Sequence, residues 1–154
     1  MAEIVQAAAP ERIKEVRELI LEYATTLSCE PCLQRIEEDV SHLPGEYAPR
    51  DGRLLLARDD GKPAGCVALR KIEEGVFEMR RLYVPPAFRG RKIGKALAEQ
   101  CIKEARREAG RSVRLYTLPS MNEAIHLYRS LGFWDITPYG EHVIEGAIYM
   151  ELKL

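Results

Sequence analysis

The sequence is poor in the features that mark several functional classes. None of its apolar runs approaches the roughly 20 residues that a membrane-crossing helix requires. Met1-Ala2-Glu3 begins no basic segment followed by an apolar stretch, so no secretory signal is expected and the chain reads as cytoplasmic, without a membrane partner. Only four cysteines are present, Cys29, Cys32, Cys66 and Cys101. Cys29-Glu-Pro-Cys32 has C-x-x-C spacing, but no second pair completes a tetrahedral zinc site and no βαβ context frames a redox motif. The cysteines are therefore expected to be reduced thiols, and no metal is expected. Neither G-x-G-x-x-G nor a P-loop occurs. Gly90 and Gly94-Lys95 enclose three residues where a P-loop needs four, and Ala96 stands where its magnesium-binding hydroxyl belongs. Aromatic residues amount to 7%, with no stacking surface and no reader motif, which argues against nucleic acid as a partner.

What remains is an ordinary globular composition, 46% apolar and 31% charged, in a length suited to one domain over residues 1–154. The net charge of -1 hides a segregation. Residues 1–52 carry 5 basic and 11 acidic side chains, whereas residues 80–111 carry 10 basic and 3 acidic. A positive segment in a neutral chain suits a local polyanion site, and equally a solvated helix face.

Periodicity and punctuation set the order of elements. A strand at Glu3–Ala7 leads to a helix entered at Pro10, with Ile13, Val16, Ile20, Tyr23 and Leu27 along one face. A weaker helix covers residues 31–42, and Asp60-Gly61 joins strands Arg53–Asp59 and Pro63–Lys71 in a tight hairpin. A third strand, Val76–Val84, is stopped by Pro85-Pro86. Next come a helix at Ile93–Ala109 and a strand at Val113–Thr117. Ser120-Met121-Asn122-Glu123 fits a capping box with Ser120 as N-cap, and its helix ends at Leu131, before Gly132. Strands near Phe133–Thr137 and Ala147–Lys153 follow.

The most informative stretch runs from Leu82 to Leu97: a strand ends, a basic loop turns, and a helix begins. The first N–H groups of a helix lack intrahelical partners and carry the positive end of its dipole, which makes a ready anion site. Arg89, Arg91, Lys92 and Lys95 can screen phosphate charge there, and Gly90 frees the turn. Gly94 costs its helix about 1 kcal/mol relative to alanine, and either close helix packing or close approach of a phosphate can explain it. Between Met79 and Leu82-x-Val84 the period-two alternation slips by one residue at Arg80-Arg81, as at a β-bulge.

These residues resemble the GNAT superfamily of acetyl-coenzyme A-dependent N-acetyltransferases. Arg89-Gly90-Arg91-Lys92-Ile93-Gly94 follows that family's Arg/Gln-x-x-Gly-x-Gly/Ala motif except that Lys92 replaces the first glycine after the spacer. Met79 to Val84 looks like the family's central strand, and Asn122 to Phe133 like its later helix and following strand. The resemblance implies an α+β, mixed α/β fold: a GNAT-like splayed, mostly antiparallel central sheet with about four helices on its faces. It implies acetyl-CoA as cofactor, with CoA as product, bound by Leu82, Tyr83, Val84, Arg89, Gly90, Arg91, Lys92, Ile93, Gly94, Lys95 and Asn122. Tyr128 is the implied acid for the leaving thiolate, although it also completes a core stripe with Met121, Ile125 and Leu131. Glu78 is the candidate base, and His126 is given no role. The expected reaction is acetyl transfer to a primary amine of a small molecule or protein, the alternative being a non-catalytic CoA-binding sensor. The acidic N-terminal helices, with Glu30, Glu37, Glu38 and Asp39, suit a cationic acceptor, and edge-strand pairing into a homodimer is open.

Overall fold

The computed structural model describes residues 2–154. A seven-stranded sheet in the order β1-β2-β3-β4-β5-β7-β6 runs through the molecule. Its strands are β1 (Glu3–Gln6), β2 (Arg53–Asp59), β3 (Lys62–Glu73), β4 (Val76–Tyr83), β5 (Ser112–Thr117), β6 (Trp134–Ile136) and β7 (Ile148–Lys153). Helices α1 (Pro10–Ala24) and α2 (Glu30–Ser41) cover one face, and α3 (Ile93–Arg107) and α4 (Asn122–Ser130) pack on the other. Every pairing is antiparallel except β4 with β5. Among the described residues, no helix is long and apolar enough to cross a membrane.

Local chemistry explains the joints. Asp60 and Gly61 take φ of 53° and 76°, the paired positive values of a tight hairpin turn whose twist suits the flanking strands. At the end of α4, Gly132 takes φ 102°. Its N–H donates to the Arg129 carbonyl, and that of Phe133 to the Tyr128 carbonyl, closing the helix in a Schellman motif. On the α3 face Phe77, Met79, Leu97, Cys101, Val113, Leu115 and Met150 form the larger core. Val16, Ile20, Ile36, Leu54 and Leu56 fill the smaller one beneath α1 and α2.

Two features that position the site follow from strand β4. It pairs with β5 only at Val76, Phe77 and Glu78, opposite Ser112, Val113 and Arg114, and then diverges. On its other side Arg80 pairs with Ala68 and Tyr83 with Cys66, so Arg81 and Leu82 together oppose Val67 alone. This is the bulge expected from the slipped alternation, and Arg81 adopts φ 59° within it. The consequence is electrostatic. Arg80 and Arg81, 9% and 8% exposed, both enter the α2 side of the sheet. Asp39 of α2 meets them there: its Oδ2 accepts from Arg81 Nε at 2.8 Å and from the Tyr47 hydroxyl at 2.6 Å, and its Oδ1 lies 3.8 Å from Arg80.

Two local expectations are corrected. Ser120 does not cap α4; Met121 is the N-cap residue, without a side-chain cap bond. Met121 is drawn inward because its sulfur accepts from Thr117 at 3.4 Å and from Tyr23 at 3.8 Å, which leaves Ser120 in the preceding turn. Cys29 and Cys32 are joined as a disulfide instead of standing as separate thiols. Cys29 is the N-cap of α2, and the first helical turn brings the two Cα atoms to 5.2 Å, within the roughly 4.4–6.8 Å a bridge requires. Cys66 and Cys101 are buried thiols, as expected.

Removing one partner of a buried ion pair strands the other's charge, so Asp39→Ala is expected to lower stability by about 3–5 kcal/mol. Urea unfolding monitored by circular dichroism checks this, and a loss under about 1 kcal/mol would show that Asp39 does not hold the bulge.

Candidate active site

Where β4 and β5 part, the start of α3 and the start of α4 wall an open slot of about 750 Å³. Helix α3 begins with no side-chain cap and no acidic residue in its first turn. Its first N–H groups, from Ile93, Gly94 and Lys95, therefore retain their capacity to bind an anion. The sequence-predicted Leu82, Tyr83, Val84, Arg89, Gly90, Lys92, Ile93, Gly94 and Asn122 all line this slot. Arg89 is steadied by donating from Nε to the Val84 carbonyl at 3.0 Å.

The side chains of Arg91 and Lys95 do not line it. Arg91 instead pairs with Asp59 at 2.8 Å, with its guanidinium 5.4 Å from the centre of the Phe88 ring, so it braces the loop from outside. Lys95 is exposed. The two readings of Gly94 also separate. A Cβ there would meet only Val84 at 3.7 Å and Leu127 at 3.9 Å, ordinary contacts, so helix packing does not require glycine. Lys92, the N-cap of α3, takes φ 62°, a conformation that suits glycine and strains other L residues.

Beyond the slot a passage of about 40 Å³ runs between the diverging strands, lined by Met79, Arg80, Arg81, Tyr116 and Thr117. Tyr23 and Met121 line both slot and passage. Arg80 and Tyr116 line both the passage and a second cleft of about 630 Å³ on the far side. The three spaces thus adjoin through shared walls. None of Tyr23, Met121, Tyr116 or Arg35, which lines the second cleft, was singled out from sequence as a site residue. A usable signal existed in β5, where Arg114 and Tyr116 alternate with the core residues Val113 and Leu115.

Tyr128 is 7% exposed, and its ring packs against Phe133 with centroids 5.8 Å apart. Burial, reinforced by Tyr23 and Cys101, pushes its phenol above the ordinary value. Glu78, 2% exposed, lies at the second cleft, between its strand partners Arg70 and Arg114. Its Oε1 accepts from Arg70 Nε at 2.9 Å and its Oε2 from the Tyr139 hydroxyl at 2.6 Å. Arg80 Nε stands 3.5 Å from the same carboxylate. Burial and the adjacent carboxylate both push the Tyr139 phenol up. His126 is exposed on α4.

An uncapped helix start below a bulged strand and a split sheet is a combination that can be compared with known proteins. Residues 13–133 match the Acetyltransferase (GNAT) family. The chain belongs to this family. An uncharacterized N-acetyltransferase of Schizosaccharomyces pombe is 32% identical over 147 residues, spanning 94% of this chain and 90% of that protein. A GNAT acetyltransferase from Staphylococcus aureus has the same fold, with a TM-score of 0.84 at 17% identity over 99% of both chains. The PaiA N-acetyltransferase of Thermoplasma acidophilum, solved in complex with coenzyme A, gives 0.77 at 21% identity, covering 100% of this chain and 99% of its own. The GNAT fold anticipated from the residues is thus the fold observed.

The strained residue in the GNAT loop yields a test. Lys92→Gly is expected to raise stability by about 0.5–1 kcal/mol, the relief of the left-handed conformation exceeding the added chain entropy. Urea denaturation measures it, and a loss would mean that the Lys92 side chain contributes more than its backbone costs.

Proposed function

We propose that this protein transfers the acetyl group of acetyl-coenzyme A to a primary amine of a small molecule or protein, in the cytoplasm, with residues 1–154 acting as one domain. The observation that carries this reading is the uncapped start of α3, opening onto the slot where β4 and β5 separate. The slot suits a coenzyme with phosphates at one end and a long, slender arm that carries amide groups. Main-chain N–H groups of Ile93, Gly94 and Lys95 would hold the pyrophosphate, with Arg89 and Lys92 screening its charge and Gly90 leaving room. Arg91 would contribute by keeping the loop in place through Asp59. The Leu82, Tyr83 and Val84 main chain would receive the pantetheine arm and acetyl oxygen, and Asn122 would bond to the arm from α4.

Acetyl-coenzyme A supplies a thioester, whose acyl carbon gains a bond to the acceptor nitrogen as its bond to sulfur breaks. Tyr128 is the proposed proton donor to the departing sulfur; its raised phenol is protonated at neutral pH, as a general acid must be. Glu78 is the proposed acceptor of the proton lost by the amine, through a water. Because both its oxygens already accept hydrogen bonds, it would exchange one of these contacts for that water.

Two measurements test the reading. Tyr128→Phe keeps the ring and removes only the hydroxyl, so coenzyme affinity is expected to hold while kcat for thiol release falls about 10²- to 10⁴-fold. An unchanged kcat would reduce Tyr128 to packing, and absence of turnover with every amine would favour the sensor. Gly94→Ala separates stability from binding. Its methyl fits the helix, so stability should rise by about 1 kcal/mol, while coenzyme affinity measured by calorimetry should fall about tenfold or more. Undiminished affinity would place the pyrophosphate elsewhere.

A further inference from the structure

The second cleft has an electrostatic imbalance that acetyl transfer to a plain amine does not explain. Four arginines line it: Arg35, Arg70, Arg80 and Arg114. Three are neutralised within 4.0 Å, Arg70 by Glu46 and Glu78, Arg80 by Asp39, Glu46 and Glu78, and Arg114 by Glu73 and Glu151. Among the described residues Arg35 has no carboxylate partner. It projects from α2, half-buried, with Nη1 donating to the Tyr116 hydroxyl at 3.2 Å and Nη2 donating to the His142 carbonyl. These neutral contacts hold the guanidinium in place and leave N–H groups to spare.

Tyr116 completes the imbalance. Its oxygen accepts from Arg35, and the Arg80 side chain shares the walls of both passage and cleft with it. Among the described residues its own proton meets no acceptor. Burial opposes ionisation of this phenol, yet the positive field of Arg80 and Arg81 and the bond from Arg35 together hold it below its ordinary value. The hydroxyl is therefore flanked by the positive charge of Arg35, Arg80 and Arg81. Of the buried guanidinium atoms nearby, Arg81 Nη2 has no hydrogen-bond acceptor among the described residues, and Arg80 Nε has only the ion-pair contact with Glu78 at 3.5 Å. Both side chains border the passage toward the slot. The exposed acids Glu38 and Glu141 line the same cleft and suit an ammonium. Among the described residues, the spare N–H groups of Arg35 and the Tyr116 hydroxyl inside the cleft, with the carboxylates of Glu38 and Glu141 unpaired at its edge, describe a zwitterion better than a simple cation.

We propose that the acceptor is an amine that also carries a carboxylate, an amino acid being the simplest case, and that Arg35 and the Tyr116 hydroxyl receive that carboxylate. The inference rests on the acetyltransferase reading and specifies its substrate class. A planar guanidinium suits the two oxygens of a carboxylate, and Tyr116 borders the passage into which the amine must point.

The experiment uses the purified protein with acetyl-coenzyme A and measures thiol release for matched acceptors. These are alanine, leucine and phenylalanine, each with its α-carboxamide and its decarboxylated amine. At least one acid is expected to exceed its carboxamide and amine about 10- to 100-fold in kcat/KM. Arg35→Ala and Arg35→Gln should raise KM for that acid and bring the acid-to-amide ratio toward one. Coenzyme affinity and the circular dichroism spectrum, recorded on both variants, distinguish this effect from misfolding. Equal use of acids, amides and amines, or a ratio that survives both variants, would overturn the inference while leaving an acetyltransferase. No thiol release with any acceptor, despite measured coenzyme binding, would overturn both readings.

Discussion

Asp39 and the two arginines it meets hold the molecule in its working shape. A bulge in β4 turns Arg80 and Arg81 to the same side of the sheet, where both are largely buried. A buried guanidinium is tolerable only with a partner, and α2 supplies one in Asp39, with Tyr47 sharing the same carboxylate. This contact ties α2 to the strand at the point where β4 leaves β5. The slot, the passage and the second cleft all open from that separation, so the sheet's defect and the site have one origin.

The two faces of the sheet answer to different physics. On the α3 side, alternation delivers Phe77, Met79, Val113 and Leu115 to an apolar core that needs only close packing. On the opposite face the same strands present Arg70, Glu78, Arg80, Arg114 and Tyr116 around a cleft. Polar groups in that setting must satisfy one another, and Glu78 does so with Arg70 and Tyr139. Rigidity on one face and polarity on the other come from a single period-two pattern.

Much of this was legible in the residues because it depends on local rules. The Asp60-Gly61 hairpin, the Gly132 stop, the slip at Arg80-Arg81 and the basic helix start each have a short-range cause. The match to a family pattern picked out nine residues, from Leu82 to Asn122, that the structure brings together around one slot. What escaped depends on contacts distant in sequence. Tyr23 and Met121 lie 98 residues apart yet meet, and that meeting displaces the expected Ser120 cap. Arg35 and Tyr116 are separated by 81 residues, and nothing near either reports the other. The direction of the Arg91 side chain also escaped, because local charge says nothing of direction, whereas its pairing with Asp59 does. The Cys29–Cys32 link was hidden for the opposite reason: its spacing was visible, but only the helical turn shows that the two sulfurs face each other.

Helices α3 and α4 both begin without a side-chain cap, and both beginnings border the same slot. An ordinary cap contributes about 1 kcal/mol, so the empty protein forgoes that stabilisation twice, at adjoining places. A guest that accepts hydrogen bonds from these N–H groups therefore also completes the scaffold. Its arrival should slow amide exchange in the first turns of both helices and raise the melting temperature in proportion to the logarithm of its concentration. Occupancy and durability become one property, and the unloaded molecule is the one a protease would find first.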